Sequence, residues 1–202
     1  YKEFAASREM KINGFTNATL GWKAWLDVVK LDSATPEQIA VLEESHPKAK
    51  VSDYYLFLVH QPEVLKQRSI AFNAIMYAPG GMPRAERELG ATVVSRINGC
   101  VYCASVHAQR FEQLAKRNDA ITEVFNNPYT AGTSARERAI VDFSIALTNQ
   151  PNEISPARIQ ALKDVGLTEI EILDLIHSVA IFAWANRLML NLGEPVFTQT
   201  AA

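Results

Sequence analysis

The sequence predicts an all-α fold, a multi-helix bundle, and three observations carry that reading. Apolar residues recur at helical spacing in almost every long segment, strand-type alternation is nearly absent, and Thr35-Pro36 and Ser155-Pro156 punctuate the chain where helices would begin. With 202 residues the chain is long enough for one large domain. A single domain over 1–202 is expected, with a helical N-terminal part at about 1–78, a core at about 79–128 and a second helical half at about 134–193.

Taken in order, the first element is an amphipathic helix through "ATLGWKAWLDVVKL" at 18–31, whose tryptophans suit core or interface packing. The second opens at "TPEQIAVLEESH", with Thr35 as N-cap, Pro36 at the first helical position and Glu37 in the first turn. "DYYLFLVHQPEVLKQRSIAFNAIMYA" reads as two helices divided near Pro62, and "PGG" at 79–81 as a turn. "MPRAERELGATVVSRI" begins a further helix, which Asn98-Gly99 ends because both residues tolerate the left-handed conformation of a C-cap. Beyond the cysteines, "VHAQRFEQLAKRN" continues the next helix and "NNPYTAGTS" is a loop with Ser134 as N-cap. "ARERAIVDFSIALTNQ" stops before Pro151, and "SPARIQALKDVG" closes on Gly166. "TEIEILDLIHSVAIFAWANRLMLNLG" forms a long apolar helix, and "EPVFTQTAA" reads as a loose tail. The stretch 81–107 and the stretch 166–192 share a pattern: glycine, acidic first turn, apolar helix. This fits either a duplicated helical unit that keeps its chemistry only in the first copy, or two independent helices of like pattern.

Composition narrows the function. The net charge of -2 and the absence of any Lys/Arg-rich run do not indicate a nucleic-acid or anionic-membrane surface. No uninterrupted apolar stretch approaches the roughly 20 residues of a membrane span. The amino end, "YKEFAASREMKINGF", lacks the apolar centre of a signal peptide, although a leader could precede the numbering because no initiator methionine is present. Two cysteines at CxxC spacing are not a disulfide scaffold, and in the expected cytoplasmic setting such a pair is redox-active or metal-binding.

Those cysteines stand in "NGCVYCASVH". On an ideal helix Cys100, Cys103 and His107 fall within an arc of about 60°. They follow a helix end, so unpaired N–H groups of the new first turn favour a thiolate. Reversal at Asn98-Gly99 also folds the preceding helix into an antiparallel hairpin and brings Glu88 opposite residues near 107–109. Thr92 and Ser95 give that hairpin a small polar stripe for close approach. From 89 to 107 the only charge besides His107 is Arg96, so the hairpin should be central and dry, and a buried Glu88 needs His107 as partner.

Carboxylate, imidazole, thiol and thiol in line suit peroxide reduction: one thiolate is oxidised to a sulfenic acid and the second closes a disulfide. The helix dipole favours Cys100 as the attacking sulfur, and the i, i+4 relation to His107 favours Cys103. A hydrogen-bonded base is the more specific activator, so Cys103 is assigned as peroxidatic and Cys100 as resolving.

Glu88, "CVYC" and His107 have the spacing of the alkylhydroperoxidase D-like family, which includes the carboxymuconolactone decarboxylases. "PGGMPRAERELGATVVSRINGCVYCASVHAQRF", "ATPEQ" and "AWANRLMLNLG" resemble its peroxidase-related branch. The resemblance implies an all-α AhpD-like bundle with a central CxxC hairpin and a homo-oligomer. It also implies a proton relay from Glu88 through His107 to Cys103, with a hydroperoxide as substrate and an external dithiol or disulfide-reductase protein as electron donor. No cofactor or metal is implied. The best-known peroxidases of the family carry a histidine where this chain has Tyr102, a poor base that serves as an auxiliary donor or as groove lining. Decarboxylases proper lack the dithiol.

Two other readings stay open: a disulfide reductase or redox relay, and a non-catalytic helical oligomer holding zinc through the thiols, His107 and Glu88. Arg187 is expected to be buried or interfacial with a carboxylate partner, His177 to be a satisfied core histidine, and His46 and His60 to be structural residues at helix junctions.

Overall fold

In the computed structural model, which describes residues 9–197, the chain is overwhelmingly helical, with four short strands among the helices. Two hairpin strands, β1 (Lys11–Ile12) and β2 (Phe15–Thr16), lead to β3 (Leu20–Ala24). The helices are α1 (Pro36–Ser45), α2 (Asp53–Leu58), α3 (Pro62–Tyr77), α4 (Arg84–Asn98) and α5 (Val101–Ala115). They continue with α6 (Asp119–Asn126), α7 (Ala135–Asn149), α8 (Pro156–Asp164) and α9 (Glu169–Leu192), after which β4 (Gly193–Phe197) follows.

Helix starts follow local side-chain chemistry. Thr35 accepts the Gln38 N–H while the Gln38 side chain caps Thr35 in return. Ser134 accepts from Glu137 N, and Thr168 forms a reciprocal box with Glu171. The chain divides at 59–61 between α2 and α3, where Pro62 occupies the first helical position.

Two expectations are corrected. Residues 20–24 form a strand where a helix was expected. Gly21 interrupts the helical pattern, the Trp22 indole donates to Met189 O at 3.2 Å, and Ala24 N–H donates to Asp53 Oδ2 at 3.1 Å. The tail is not loose over 194–197, because β4 pairs antiparallel with β3, from Leu20↔Phe197 to Ala24↔Gly193; residues 198–202 lie outside the described residues. Gly193 allows this pairing, since a Cβ there would sit 2.2 Å from Lys23 O and 2.4 Å from the Trp22 ring. The short helix α6 went unread, although its buried Ile121, Val124 and Phe125 carry helical spacing. The helix α9 is long and apolar enough to cross a membrane by length and composition, though acidic, basic and polar residues interrupt it and half of that window is buried inside the protein. As for the two like-patterned stretches, the first is a hairpin broken at Gly99 and the second is one unbroken helix.

The core gathers around α4, whose residues 87–95 are all buried against α5, α7 and α9. Arg87 fastens its base. Its buried guanidinium donates to Met82 O, Ile75 O, Ala78 O and Gly80 O and pairs with Asp174 at 3.1 Å, so the turn at 78–82 is tied to α9. A helix fixed this firmly is a rigid mount for side chains on its other face.

Candidate functional site

The reversal between α4 and α5 sets the site. Gly99 takes φ +79°, a left-handed conformation that only glycine adopts without strain. Cys100 N–H donates to Ser95 O at 2.9 Å across the turn. Asn98 Nδ2 donates to Asn186 Oδ1, and Asn186 Nδ2 donates to Ser95 Oγ, both at 3.1 Å, which pins the turn to α9. Cys100 is therefore the N-cap residue of α5 and Cys103 lies in its first turn. The two are joined in a disulfide, with Cα atoms 5.4 Å apart, and are buried beside Tyr54 and Met189.

One turn beyond Cys103, His107 Nδ1 lies 2.5 Å from Glu88 Oε2. Glu88 is fully buried, and its Oε1 has no hydrogen-bond partner; the nearest cation is Arg84, whose Nε is 3.9 Å away. The imidazole also meets the Phe182 ring edge-on at 4.1 Å. With Nδ1 held by the carboxylate, Nε2 is the nitrogen free to exchange a proton. Thr92 and Ser95 are buried on the same helix but turn their hydroxyls back to Glu88 O and Ala91 O, so they relieve the packing and do not bond the carboxylate.

Cys103 and His107 line a cavity of about 720 Å³, whose walls come from β3, α2, α3, α5 and α9. Trp22, Tyr54, Tyr55, Phe72 and Phe182 supply an aromatic lining, and Arg68, Arg110 and Lys48 supply positive charge. Burial pushes the Tyr54 hydroxyl up to about 12 and raises Tyr77 and Tyr102 as well, so all three stay protonated near neutral pH. His46, at the same cavity, is held below its ordinary value by burial and then by Arg110, Lys48 and Arg68.

The structure thus brings Glu88, His107, Cys103 and Cys100 into one corner, with Tyr102 on the cavity wall. The aromatic lining and Arg68 escaped the sequence; the run of tyrosines and phenylalanine in "DYYLF" was the one available signal. His177 is exposed and not in the core. Arg187 is also exposed, and its guanidinium donates to Ala183 O with no carboxylate partner among the described residues. Both lie on the outer face of α9, which is apolar all round and so gave no indication of its inner side. Among the described residues no group of three or more His, Cys, Asp or Glu is placed to hold a metal ion. A smaller cleft of about 350 Å³ between α7 and α8 contains neither thiol nor imidazole.

Residues 62–143 match the carboxymuconolactone decarboxylase family. No curated protein matches the sequence. Among solved structures, the chain is similar to an AhpD-core, peroxidase-related protein from Ralstonia eutropha JMP134. Identity is 25% over 84% of this chain and 90% of that one, with a TM-score of 0.74. A peroxidase-related protein from Silicibacter sp. TM1040 is 26% identical over 85% and 91%, with a TM-score of 0.71. A debrominase crystallised with 2,3,4-tribromopyrrole shares the fold at 16% identity, over 82% and 89%, with a TM-score of 0.65.

Proposed function

We propose that this chain is a thiol-dependent peroxidase, on the premise that residues 62–143 match the carboxymuconolactone decarboxylase family and that the fold is the AhpD-like fold of peroxidase-related proteins. Its substrates are hydrogen peroxide and organic hydroperoxides. The observation that carries this reading is the buried 2.5 Å contact between Glu88 and His107, one helical turn from a Cys100–Cys103 disulfide.

In the reduced protein His107, oriented by Glu88, takes the Cys103 proton. The thiolate attacks the O–O bond, the sulfur becomes a sulfenic acid, and the alkoxide leaves with the proton returned by His107. The Cys100 thiol then displaces water from the sulfenic acid and closes the disulfide. The sum is hydroperoxide plus dithiol going to alcohol, water and disulfide. An external dithiol, free or on a disulfide-reductase protein, reopens the bond by exchange. Access supports Cys103 as the attacking sulfur, because Cys103 lines the cavity and Cys100 lies behind it as the N-cap. Turnover of this kind needs a reducing compartment, and the cytoplasm is part of the same proposal. So is assembly with further copies of the chain, supported by the exposed Ile170, Leu173 and Trp184 on the outer face of α9.

The test is peroxide consumption by reduced protein, with intact-mass analysis. One equivalent of peroxide should remove both thiols with a mass loss of about 2 Da confined to the Cys100–Cys103 peptide. Full activity in Cys103→Ser would overturn the mechanism. A faster reaction with disulfide substrates than with peroxide would shift the reading to a disulfide reductase, and bound zinc in the reduced protein would shift it to a metal site.

A further inference from the structure

The cavity beside Cys103 contains a buried cation without an acid. Arg68 is 9% exposed, and among the described residues no carboxylate lies within 4 Å of it. What it touches is aromatic. Its guanidinium is 4.5 Å from the centroid of Phe72, 5.6 Å from Tyr55 and 6.0 Å from Tyr54, and Nη1 donates to the Tyr55 hydroxyl at 3.3 Å. Two arginine heads elsewhere in the protein pair with acids, Arg87 with Asp174 and Arg136 with Glu86 and Glu171.

Arg110, a turn beyond His107 on the other wall, likewise has no carboxylate within 4 Å among the described residues and leans on the Tyr77 ring at 5.9 Å. The acid that lines the cavity, Asp53, is engaged by Ala24 N–H, and Glu88 stands behind His107. Ring faces stabilise a desolvated guanidinium only in part, so such a group retains a strong preference for an anion. The depressed pKa of His46, set by burial and then by Arg110, Lys48 and Arg68, reports the same positive potential.

We propose that this cavity takes an organic hydroperoxide that carries a carboxylate, the anion pairing with Arg68 and Arg110 and the hydrocarbon lying along Trp22, Tyr54 and Phe72. In that pose the O–O group is left at the Cys103 end. Bidentate guanidinium–carboxylate pairing selects the anion, and the aromatic wall selects an apolar body over hydrogen peroxide itself. The inference rests on the peroxidase reading for the word hydroperoxide, but the anion site can be tested without turnover.

The probes are 4-isopropylbenzoate and its neutral counterpart 4-isopropylbenzyl alcohol, titrated into the oxidised protein by calorimetry with Trp fluorescence as a second readout. The carboxylate should bind at least about tenfold tighter than the alcohol, and added salt should weaken the carboxylate alone. Arg68→Gln and Arg110→Gln should each remove most of that preference while leaving alcohol binding unchanged, and Arg68→Lys should keep part of it. If Arg68→Gln fails to fold, the Arg110 variant and the salt series still decide. No carboxylate binding, equal affinity for the two probes, or a preference unmoved by either substitution would overturn the inference. Comparing cumene hydroperoxide with its para-carboxylated form then separates the two readings. Consumption of both at equal efficiency refutes the anion site and leaves the peroxidase intact. Tight carboxylate binding without any peroxide consumption supports the anion site and refutes the peroxidase.

Discussion

Glu86 and Glu88 stand two residues apart on α4 and meet opposite fates. Glu86 receives both arms of Arg136, Nε to Oε1 and Nη2 to Oε2 at 2.8 Å each, while Arg136 also reaches Glu171 at 2.6 Å. Glu88 faces the hairpin and meets an imidazole, with its second oxygen left without a hydrogen bond. Guanidinium stays charged at any physiological pH, so the Arg136 cluster is a permanent fastening between α4, α7 and α9. An imidazole has one ring nitrogen that can accept a proton and another that can donate one, which suits the Glu88 pair to the proposed proton relay. The same residue type therefore serves stability on one face of the helix and, in the proposed peroxidase, proton transfer on the other, and the partner decides which.

The sharpest way to break this comparison is to neutralise each carboxylate in turn. Glu88→Gln should lower peroxide reduction by about 10²–10⁴-fold, the usual scale of a lost acid–base contribution, with the melting temperature little changed. Glu88 acts through His107 as a positioning residue, so a second readout is required. The ultraviolet thiolate absorbance of the reduced protein at neutral pH, and its rate of alkylation, should both fall in Glu88→Gln. Glu86→Gln should leave rate, absorbance and alkylation within about threefold and lose stability instead, by about 1–3 kcal/mol for charge-assisted hydrogen bonds. Equal loss of activity in the two variants would show that α4 is merely deformed by either change.

A smaller effect follows from the other side of the same cluster. Hydrogen bonding to Glu86 and Glu171 holds the Arg136 pKa above its ordinary value, and Arg136→Met leaves two carboxylates facing each other. The loss should again be about 1–3 kcal/mol at pH 7, read as roughly 2–4 °C of melting temperature for each kcal/mol in a chain of this size. Burial alone would raise Glu171, but hydrogen bonds from Thr168 and Arg136 outweigh it and hold its pKa below the ordinary value. A carboxylate depressed on folding contributes stability above its unfolded pKa, about 4.3, and loses it as pH falls through the folded value. The gap in melting temperature between wild type and Arg136→Met should therefore be full at pH 7 and narrow as pH drops below about 4. A gap independent of pH would assign the loss to packing of the Arg136 stem.

What was legible in the sequence was local. Thr35 and Ser134 mark their helices because each cap bonds an N–H three residues on, and Gly99 marks a reversal because few residues accept its φ. The Glu88–His107 contact inherits that legibility: once the turn is fixed at 98–99, pairing across an antiparallel hairpin follows from counting. What was not legible depends on encounters between distant segments. Residues 20–24 become a strand only because Gly193–Phe197 returns beside them, and the cavity exists only where α2, α3 and α9 meet α5. Arg68 reads as an ordinary polar position in "KQRSIAF"; its burial among three rings is a property of the assembled walls.

The smallest expected effect concerns Tyr102, which sits between the two cysteines in sequence and lines the same cavity. Burial raises its pKa, so across the physiological range the hydroxyl can donate a hydrogen bond but cannot accept a thiol proton. Phenylalanine keeps the ring and its packing and deletes a single neutral donor, a change of about 0.5–1.5 kcal/mol. Peroxide reduction by Tyr102→Phe should accordingly fall by about tenfold at most, with an unaltered pH–rate profile, since no group that titrates near neutrality has been removed. A loss on the scale expected of Glu88→Gln would move Tyr102 into the proton relay. The carboxylate would then no longer be the group that sets apart this face of α4.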